Sequence, residues 1–148
     1  MSLKNSITED MKSALKAGAK DRLKVLRLIL AAIKQVEVDT RATLDDAAVL
    51  GVLEKMVKQR KDSVEQFTKG GRDDLAAIEL AEIEVIETYL PEKMDDAELD
   101  ALIDEVIAAT GAETIRDMGK VMGAIKGKAA GRADMGAVGA RVKARLGA

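Results

Sequence analysis

A run of evenly spaced glycines among basic residues is the part of this sequence whose residue types best suit binding chemistry. Gly119, Gly123 and Gly127 follow one another at four-residue intervals, and Gly131 continues the spacing. The surrounding stretch, DMGKVMGAIKGKAAGRAD, otherwise has the composition of a helix and is rich in lysine and arginine. Because a glycine inside a helix costs about 1 kcal/mol relative to alanine, the repeat needs a compensating reason.

Close approach of another group to bare backbone is the usual reason for such glycines, and two sources of that group stay open. In the first, two short helices of a small domain cross tightly, which the spacing alone favours. In the second, an external helix or nucleic-acid backbone approaches, and the lysines select an anionic partner. Four residues advance a helix by about 400°, so the glycines drift by about 40° per step and suit contact over one or two turns. Gly131, within GRAD, is expected to mark a break between helices.

The chain lacks the side chains that most catalytic mechanisms require. The sequence has no histidine and no cysteine, which removes imidazole and thiolate nucleophiles, bases and metal ligands. No phosphate-cradling loop ending in Gly-Lys-Ser/Thr is present. Four glutamates crowd one segment and could bind a divalent ion, yet no calcium-loop pattern accompanies them: Glu79, Glu82, Glu84 and Glu87. We therefore predict no catalytic residue, no metal ligand and no cofactor.

Composition predicts an all-α fold. The 148 residues are rich in alanine, leucine, glutamate and lysine and contain a single proline, Pro91. We expect a larger N-terminal four-helix domain, residues 1–92, and a small C-terminal three-helix domain, residues 93–148. The first ten residues lack the apolar segment of a leader, and the longest apolar run, residues 28–33, is too short to span a membrane. These features, with the absence of cysteine, predict a cytoplasmic protein with no membrane partner.

Capping residues and hydrophobic periodicity place seven helices. Ser2 or Ser6 caps the first, which Gly18 ends, and the second, residues 21–38, should be central because LKVLRLILAAI is apolar around most of its circumference. Thr43 or Asp45 opens the third, which runs to the glycines at 70 and 71. The remaining four are predicted to open at residues 73 or 74, 95, 114 and 134.

The charges are segregated along the chain. Residues 1–72 carry a net charge of +5, residues 73–110 carry −12, and residues 111–148 carry +5. The acidic and basic segments could pair within the fold. The basic tail is instead interpreted as an electrostatic footprint for nucleic acid, because it lies beyond the expected domain boundary at Pro91.

Four strings occur in an order that resembles a known family: KQRKDSVEQF, GGRDDLAAIELAEIEVIETYLPEKM, DMGKVMGAIKGKAAGRAD and VKARL. Together they are similar to the GatB/YqeY domain family, specifically its free-standing YqeY-like members, over nearly the whole chain. The most specific parts are EIEVIETYLP, and DMGKVMG followed by GRAD. The chain departs from the family pattern after GRAD, where it reads MGAVGA.

The resemblance implies two helical domains, with a tail similar to the C-terminal domain of the GatB subunit of the glutamine-dependent aminoacyl-tRNA amidotransferase. In that enzyme the tail is associated with tRNA recognition, while ammonia release and phosphoryl activation belong to other domains and subunits. The family-level label is a carbon-nitrogen ligase with glutamine as amido-N-donor. This chain offers no self-contained site for that reaction, so whether it takes part in catalysis stays open.

Our leading hypothesis is therefore a tRNA-binding or amidotransferase-related accessory protein. The RNA-binding candidates are Lys120, Lys126, Lys128, Arg132, Arg141 and Arg145. The close-approach glycines are Gly119, Gly123 and Gly127. The alternative is a non-catalytic adaptor whose glycine-striped helix receives a helix of an amidotransferase or synthetase component. A third hypothesis, an accessory enzyme working with a glutaminase partner, rests on the resemblance alone.

Overall fold

The computed structural model describes residues 2–129 and 132–147, and it confirms the all-α class. Those residues form helices and loops and contain no strand. The seven α-helices are α1 Leu3–Ala17, α2 Lys20–Thr40, α3 Asp46–Lys69, α4 Asp73–Glu87, α5 Asp96–Thr110, α6 Met118–Ala129 and α7 Met135–Gly147. A short 3-10 turn, Ile115–Asp117, leads into α6.

The chain divides into two compact units, Met1–Leu90 with α1 to α4 and Pro91–Ala148 with α5 to α7. The division falls at the single proline, two residues before the predicted boundary. Proline has no backbone N–H to donate and restricts the residue before it, which suits a segment between helices.

Local capping explains where the helices of the N-terminal unit begin and end. The Ser2 hydroxyl accepts a hydrogen bond from the Asn5 backbone N–H, and Gly18, at φ 69°, ends α1 in the left-handed conformation. Asp45 caps α3 by accepting from the Ala48 N–H at 2.9 Å. Of the alternatives that the sequence left open, Ser2 and Asp45 are thus the residues used.

Helix α2 is central to the N-terminal unit, as expected, and supplies much of its core. Val25, Leu26, Ile29 and Ile33 are buried against the other three helices. Its opposite face is exposed, and even Leu28 keeps 39% of its surface accessible. One face stays exposed because LKVLRLILAAI contains lysine and arginine at positions that helical rotation gathers onto one side.

The C-terminal unit has a separate aliphatic core. Its fully buried side chains include Ile103, Val121, Ile125, Val138 and Val142, so each of its three helices contributes. The Asp95 carboxylate accepts from the Glu98 N–H at 2.7 Å, which begins α5 as predicted. Gly111 ends α5 at φ 67°.

Candidate functional site

The glycines of α6 lie on its outer face. Val121 and Ile125 of this helix are fully buried in the core. Gly119, Gly123 and Gly127 lie on the opposite side and are exposed. A Cβ atom built on any of the three meets no heavy atom within 4 Å. The internal-crossing explanation is therefore wrong for these three residues, and Gly131 lies outside the described residues.

Nothing inside the described structure requires glycine at these positions. None of the three adopts the positive φ that favours glycine. Alanine would thus be accommodated at each, and three alanines would stabilise an exposed helix by roughly 2 to 3 kcal/mol. The chain keeps a surface of bare backbone that its own folding does not use. We call residues 119, 123 and 127 of α6 the glycine face.

Two methionines of α6 pack beside a glycine of α7 that the prediction did not use. A Cβ on Gly139 of α7 would lie 3.6 Å from Met118 Cε and 3.8 Å from Met122 Cε. These are ordinary contact distances, so the two flexible methionines fill the space beside α7.

Lys120 and Lys126 flank the glycine face. They stand three residues before and three residues after Gly123, so helical rotation places them about 60° to either side of it. Both side chains are exposed, and neither has a carboxylate within 4.0 Å among the described residues. The face therefore combines bare backbone with two positive charges that form no ion pair with the residues described, although Asp117 is near enough to interact with the charge of Lys120.

The other four predicted RNA-binding residues are paired within their own unit. Each forms an ion pair with a carboxylate of α5, at distances from 2.7 to 3.3 Å: Lys128 with Glu105, Arg132 with Glu98, Arg141 with Asp96 and Asp100, and Arg145 with Asp104. The hydrogen bond to Asp100, with the charge of Asp96, raises the pKa of Arg141 above its usual value. The structure brings Lys120 and Lys126 to the glycine face and joins the other four to α5.

These ion pairs correct the charge argument made from the sequence. Residues 91–148 hold nine lysines and arginines and ten aspartates and glutamates, a net charge of −1. The basic tail shares its unit with acidic α5, so the predicted domain-wide footprint for nucleic acid does not exist. Among the described residues, the positive charge that stays unpaired in this unit is confined to a few side chains, among them Lys120 and Lys126.

Three residues of the family-like strings have structural tasks of their own. The Asp117 carboxylate accepts from the backbone N–H groups of Glu113 and Thr114 at 3.0 and 3.3 Å, and these donors hold its pKa below the usual value. Arg132 donates from Nε to the Glu92 carbonyl oxygen at 2.8 Å. Asp134 accepts from the Gly136 N–H at 3.3 Å. Within DMGKVMGAIKGKAAGRAD, such contacts give no structural task to the glycines or to the two flanking lysines.

Sequence reasoning missed Lys143 and Arg116, which are also exposed and have no carboxylate within 4.0 Å among the described residues. Lys143 has no acid within four positions along the chain, but the same holds for Arg141 and Arg145, which are paired. The partners of Arg141 and Arg145 lie about 40 residues away on α5. Only the tertiary fold therefore determines which of these cations are paired.

The described residues contain no group of three acidic, histidine or cysteine side chains able to hold a metal ion. In the glutamate-rich segment, Glu82 receives a hydrogen bond from Arg60 Nε at 3.2 Å, with both side chains largely buried. No helix in the described part of the chain is long and apolar enough to cross a membrane.

Fold and site define an all-α protein of two helical units, the second of which exposes a glycine face flanked by lysines. Residues 4–146 match the model of the Yqey-like protein family, and the chain belongs to that family. The family resemblance found in the sequence is thereby confirmed.

Curated relatives share one printed name, "Altered inheritance of mitochondria protein 41, mitochondrial". The protein of Lachancea thermotolerans is 35% identical over 105 residues, 69% of this chain and 56% of the relative. That of Candida glabrata is 40% identical over 91 residues, 59% of this chain and 49% of the relative. That of Saccharomyces cerevisiae strain YJM789 is 33% identical over 92 residues, 62% and 50% of the two chains. The chain spans about half the length of these relatives, and its cytoplasmic location stays a prediction.

Proposed function

We propose that the C-terminal unit binds structured RNA, with tRNA as the candidate ligand, through the glycine face of α6. The observation that carries this proposal is the open space beyond Gly119, Gly123 and Gly127. An exposed helix gains stability from almost any other residue at these positions, so the glycines serve an approaching partner.

The charges beside the glycine face indicate an anionic backbone as that partner. Lys120 and Lys126 lie on opposite sides of Gly123 and about 9 Å apart along the helix axis. A phosphate backbone crossing the face between them would contact the bare helix and bring one phosphate to each ammonium group. The single tyrosine and single phenylalanine, Tyr89 and Phe67, lie outside this unit, so it has no aromatic ring for base stacking. Recognition would thus depend on shape and phosphate contacts.

The ion-paired cations take a secondary place in this proposal. A phosphate reaching Lys128, Arg132, Arg141 or Arg145 must compete with a carboxylate already in contact. Two primary contacts give weak binding with a modest salt dependence.

Fluorescence anisotropy of labelled, unfractionated tRNA with the full chain tests the proposal. We expect Lys120→Ala with Lys126→Ala to weaken binding and to lower the slope of log affinity against log salt by roughly 1.4 to 1.8, since each phosphate contact contributes about 0.7 to 0.9. Lys55→Ala with Lys58→Ala, which removes the same charge from α3, is the matched control. Arg141→Gln with Arg145→Gln should change the slope less than the α6 pair does. Equal slopes for the wild type and the α6 variant would overturn the proposal.

A protein-interaction adaptor is the second candidate, and one observation favours it. Ile115, in the 3-10 turn before α6, keeps 48% of its surface exposed and offers an apolar contact in the same unit as the glycine face. A partner helix, such as one from an amidotransferase or synthetase component, would then pack on the glycines. Its signature is association that ignores salt and the lysine substitutions but is lost in Gly123→Leu, while Gly51→Leu in α3 has no effect.

A further inference from the structure

We infer that the outer face of α2 in the N-terminal unit is a second, separate surface for an RNA phosphate backbone. This face, which we call the α2 basic face, is built by four cations: Lys20, Lys24, Arg27 and Lys34. It lies in a different unit from the glycine face and does not depend on the function proposed there.

Helical rotation gathers these four side chains onto one side of α2. At 100° per residue they fall within an arc of about 80°, and they extend over about 21 Å of the helix axis. Ala31 lies near the middle of the same arc. Its small side chain leaves a shallow depression of about 500 Å³ among the longer side chains of Lys20, Lys24, Arg27 and Leu28.

The charge of Glu37 acts on Lys34, but no cation of this face forms an ion pair among the described residues. All four cations are exposed, and none has a carboxylate within 4.0 Å among the described residues. Glu37, one helical turn beyond Lys34, is already engaged: its Oε1 atom accepts from Lys4 Nζ at 2.7 Å and its Oε2 atom from the Leu44 N–H at 2.9 Å.

The arrangement of charge and apolar surface favours nucleic acid over other anionic partners. The cores of protein interfaces are depleted of charged residues, whereas here the cations run along the middle of the face. A helix that lies in a membrane surface buries a continuous apolar stripe, whereas here the apolar residues Leu23, Leu28 and Ala31 are interleaved with cations. A line of exposed cations that form no ion pair is the kind of footprint that phosphate binding leaves on a helix.

The test is a tRNA titration of the full chain carrying Lys20→Ala, Lys24→Ala, Arg27→Ala and Lys34→Ala. We expect affinity at low salt to fall at least tenfold and the log–log salt slope to fall by about three, the contribution of four phosphate contacts. The control removes the same charge elsewhere in the unit, with Lys12→Ala, Lys55→Ala, Lys58→Ala and Lys69→Ala, and should leave most of the slope intact. Circular dichroism and thermal melting verify that both variants fold.

A second variant, Ala31→Glu, places a negative charge in the middle of the face without removing any cation, and it should also weaken binding. Repeating both variants in the Lys120→Ala, Lys126→Ala background separates this surface from the glycine face. If only the α2 substitutions leave tRNA binding unchanged, the α6 proposal still holds. If only the α6 substitutions do so, the α2 inference still holds. An unchanged slope, or an equal loss in the charge-matched control, overturns the inference. Binding to vesicles of phosphatidylcholine and phosphatidylserine that depends on the α2 basic face, with tRNA affinity unaltered, would also overturn it.

Discussion

Glu37 shows how one carboxylate can determine which nearby cations stay free. Lys4 Nζ and the Leu44 N–H occupy its two oxygens, and the hydrogen bond from Lys4 is the main cause that lowers the pKa of Glu37 below 4.5. The carboxylate thereby connects α1, the end of α2 and the loop before α3. Lys34, on the preceding turn of α2, interacts with the charge of Glu37 but forms no ion pair within the described part of the chain, and it remains on the α2 basic face.

The pH dependence of stability tests this role of Glu37. A carboxyl group with a lowered pKa in the folded state stabilises the protein above its unfolded pKa, and that contribution is lost as the pH falls through the folded pKa. We expect Glu37→Gln to lower the Tm at pH 7 and the difference from wild type to shrink as the pH falls below 4.5. Thermal melts across this range measure it. Glu65→Gln, at an exposed pair with Lys69, is the control with little effect. A deficit of constant size down to acidic pH would contradict the assignment.

At the scale of elements, the turn after α4 is fixed to two other helices by Tyr89. Its hydroxyl donates to Asp10 Oδ2 of α1 at 2.6 Å and accepts from Arg22 Nη2 of α2 at 3.4 Å. Partial burial, followed by the hydrogen bond to Asp10, raises the pKa of Tyr89 above its usual value, so the hydroxyl remains a donor. The tyrosine of the ETYLP string therefore has a structural task.

We predict that Tyr89→Phe lowers the free energy of unfolding by about 1 to 2 kcal/mol, because a hydrogen bond to a charged, partly buried group is lost while the ring is kept. Urea denaturation at neutral pH measures the change. Affinity for tRNA should not move, since the residue lies on neither proposed surface. A change smaller than the error of the measurement would show that Asp10 and Arg22 hold the turn without the hydroxyl.

Helix α5 explains why element-level reasoning about charge went wrong. Its aspartates at positions 96, 100 and 104 repeat at four-residue intervals on the side that meets α7, where Arg141 and Arg145 repeat at the same interval. Along the sequence, these acids belong to an acidic segment that appears separate from the basic tail. In three dimensions they form one ladder of ion pairs inside the C-terminal unit.

At the scale of the whole molecule, the sequence was sufficient for the helices because their signals are local. Ser2, Gly18, Asp45, Asp95 and Gly111 begin or end helices through contacts within a few residues. The same short-range signals predicted the all-α class. The sequence says less about which face of a helix meets the core, because α2 is apolar over most of its circumference although only one side of it is buried.

The candidate site could be predicted only in part, for a related physical reason. The spacing of Gly119, Gly123 and Gly127 identified the helix, but whether they face the core depends on where Val121 and Ile125 pack. The choice among the six basic candidates depends on acids far away in sequence. The α2 basic face was missed because its cations are interleaved with core residues over four turns.

The most direct test of the central claim measures stability and tRNA affinity in one variant, Gly119→Ala with Gly123→Ala and Gly127→Ala. If the glycines serve an external partner, the free energy of unfolding should rise by roughly 2 to 3 kcal/mol, since each alanine favours the helix and meets open space. Affinity for tRNA should fall about tenfold, or 1.4 kcal/mol, because the methyl groups hold the backbone away. Gly51→Ala, at an exposed helical glycine of α3 with similar open space, should stabilise without affecting binding. A destabilised triple variant, or one that is stabilised and binds tRNA as tightly as wild type, would contradict the account.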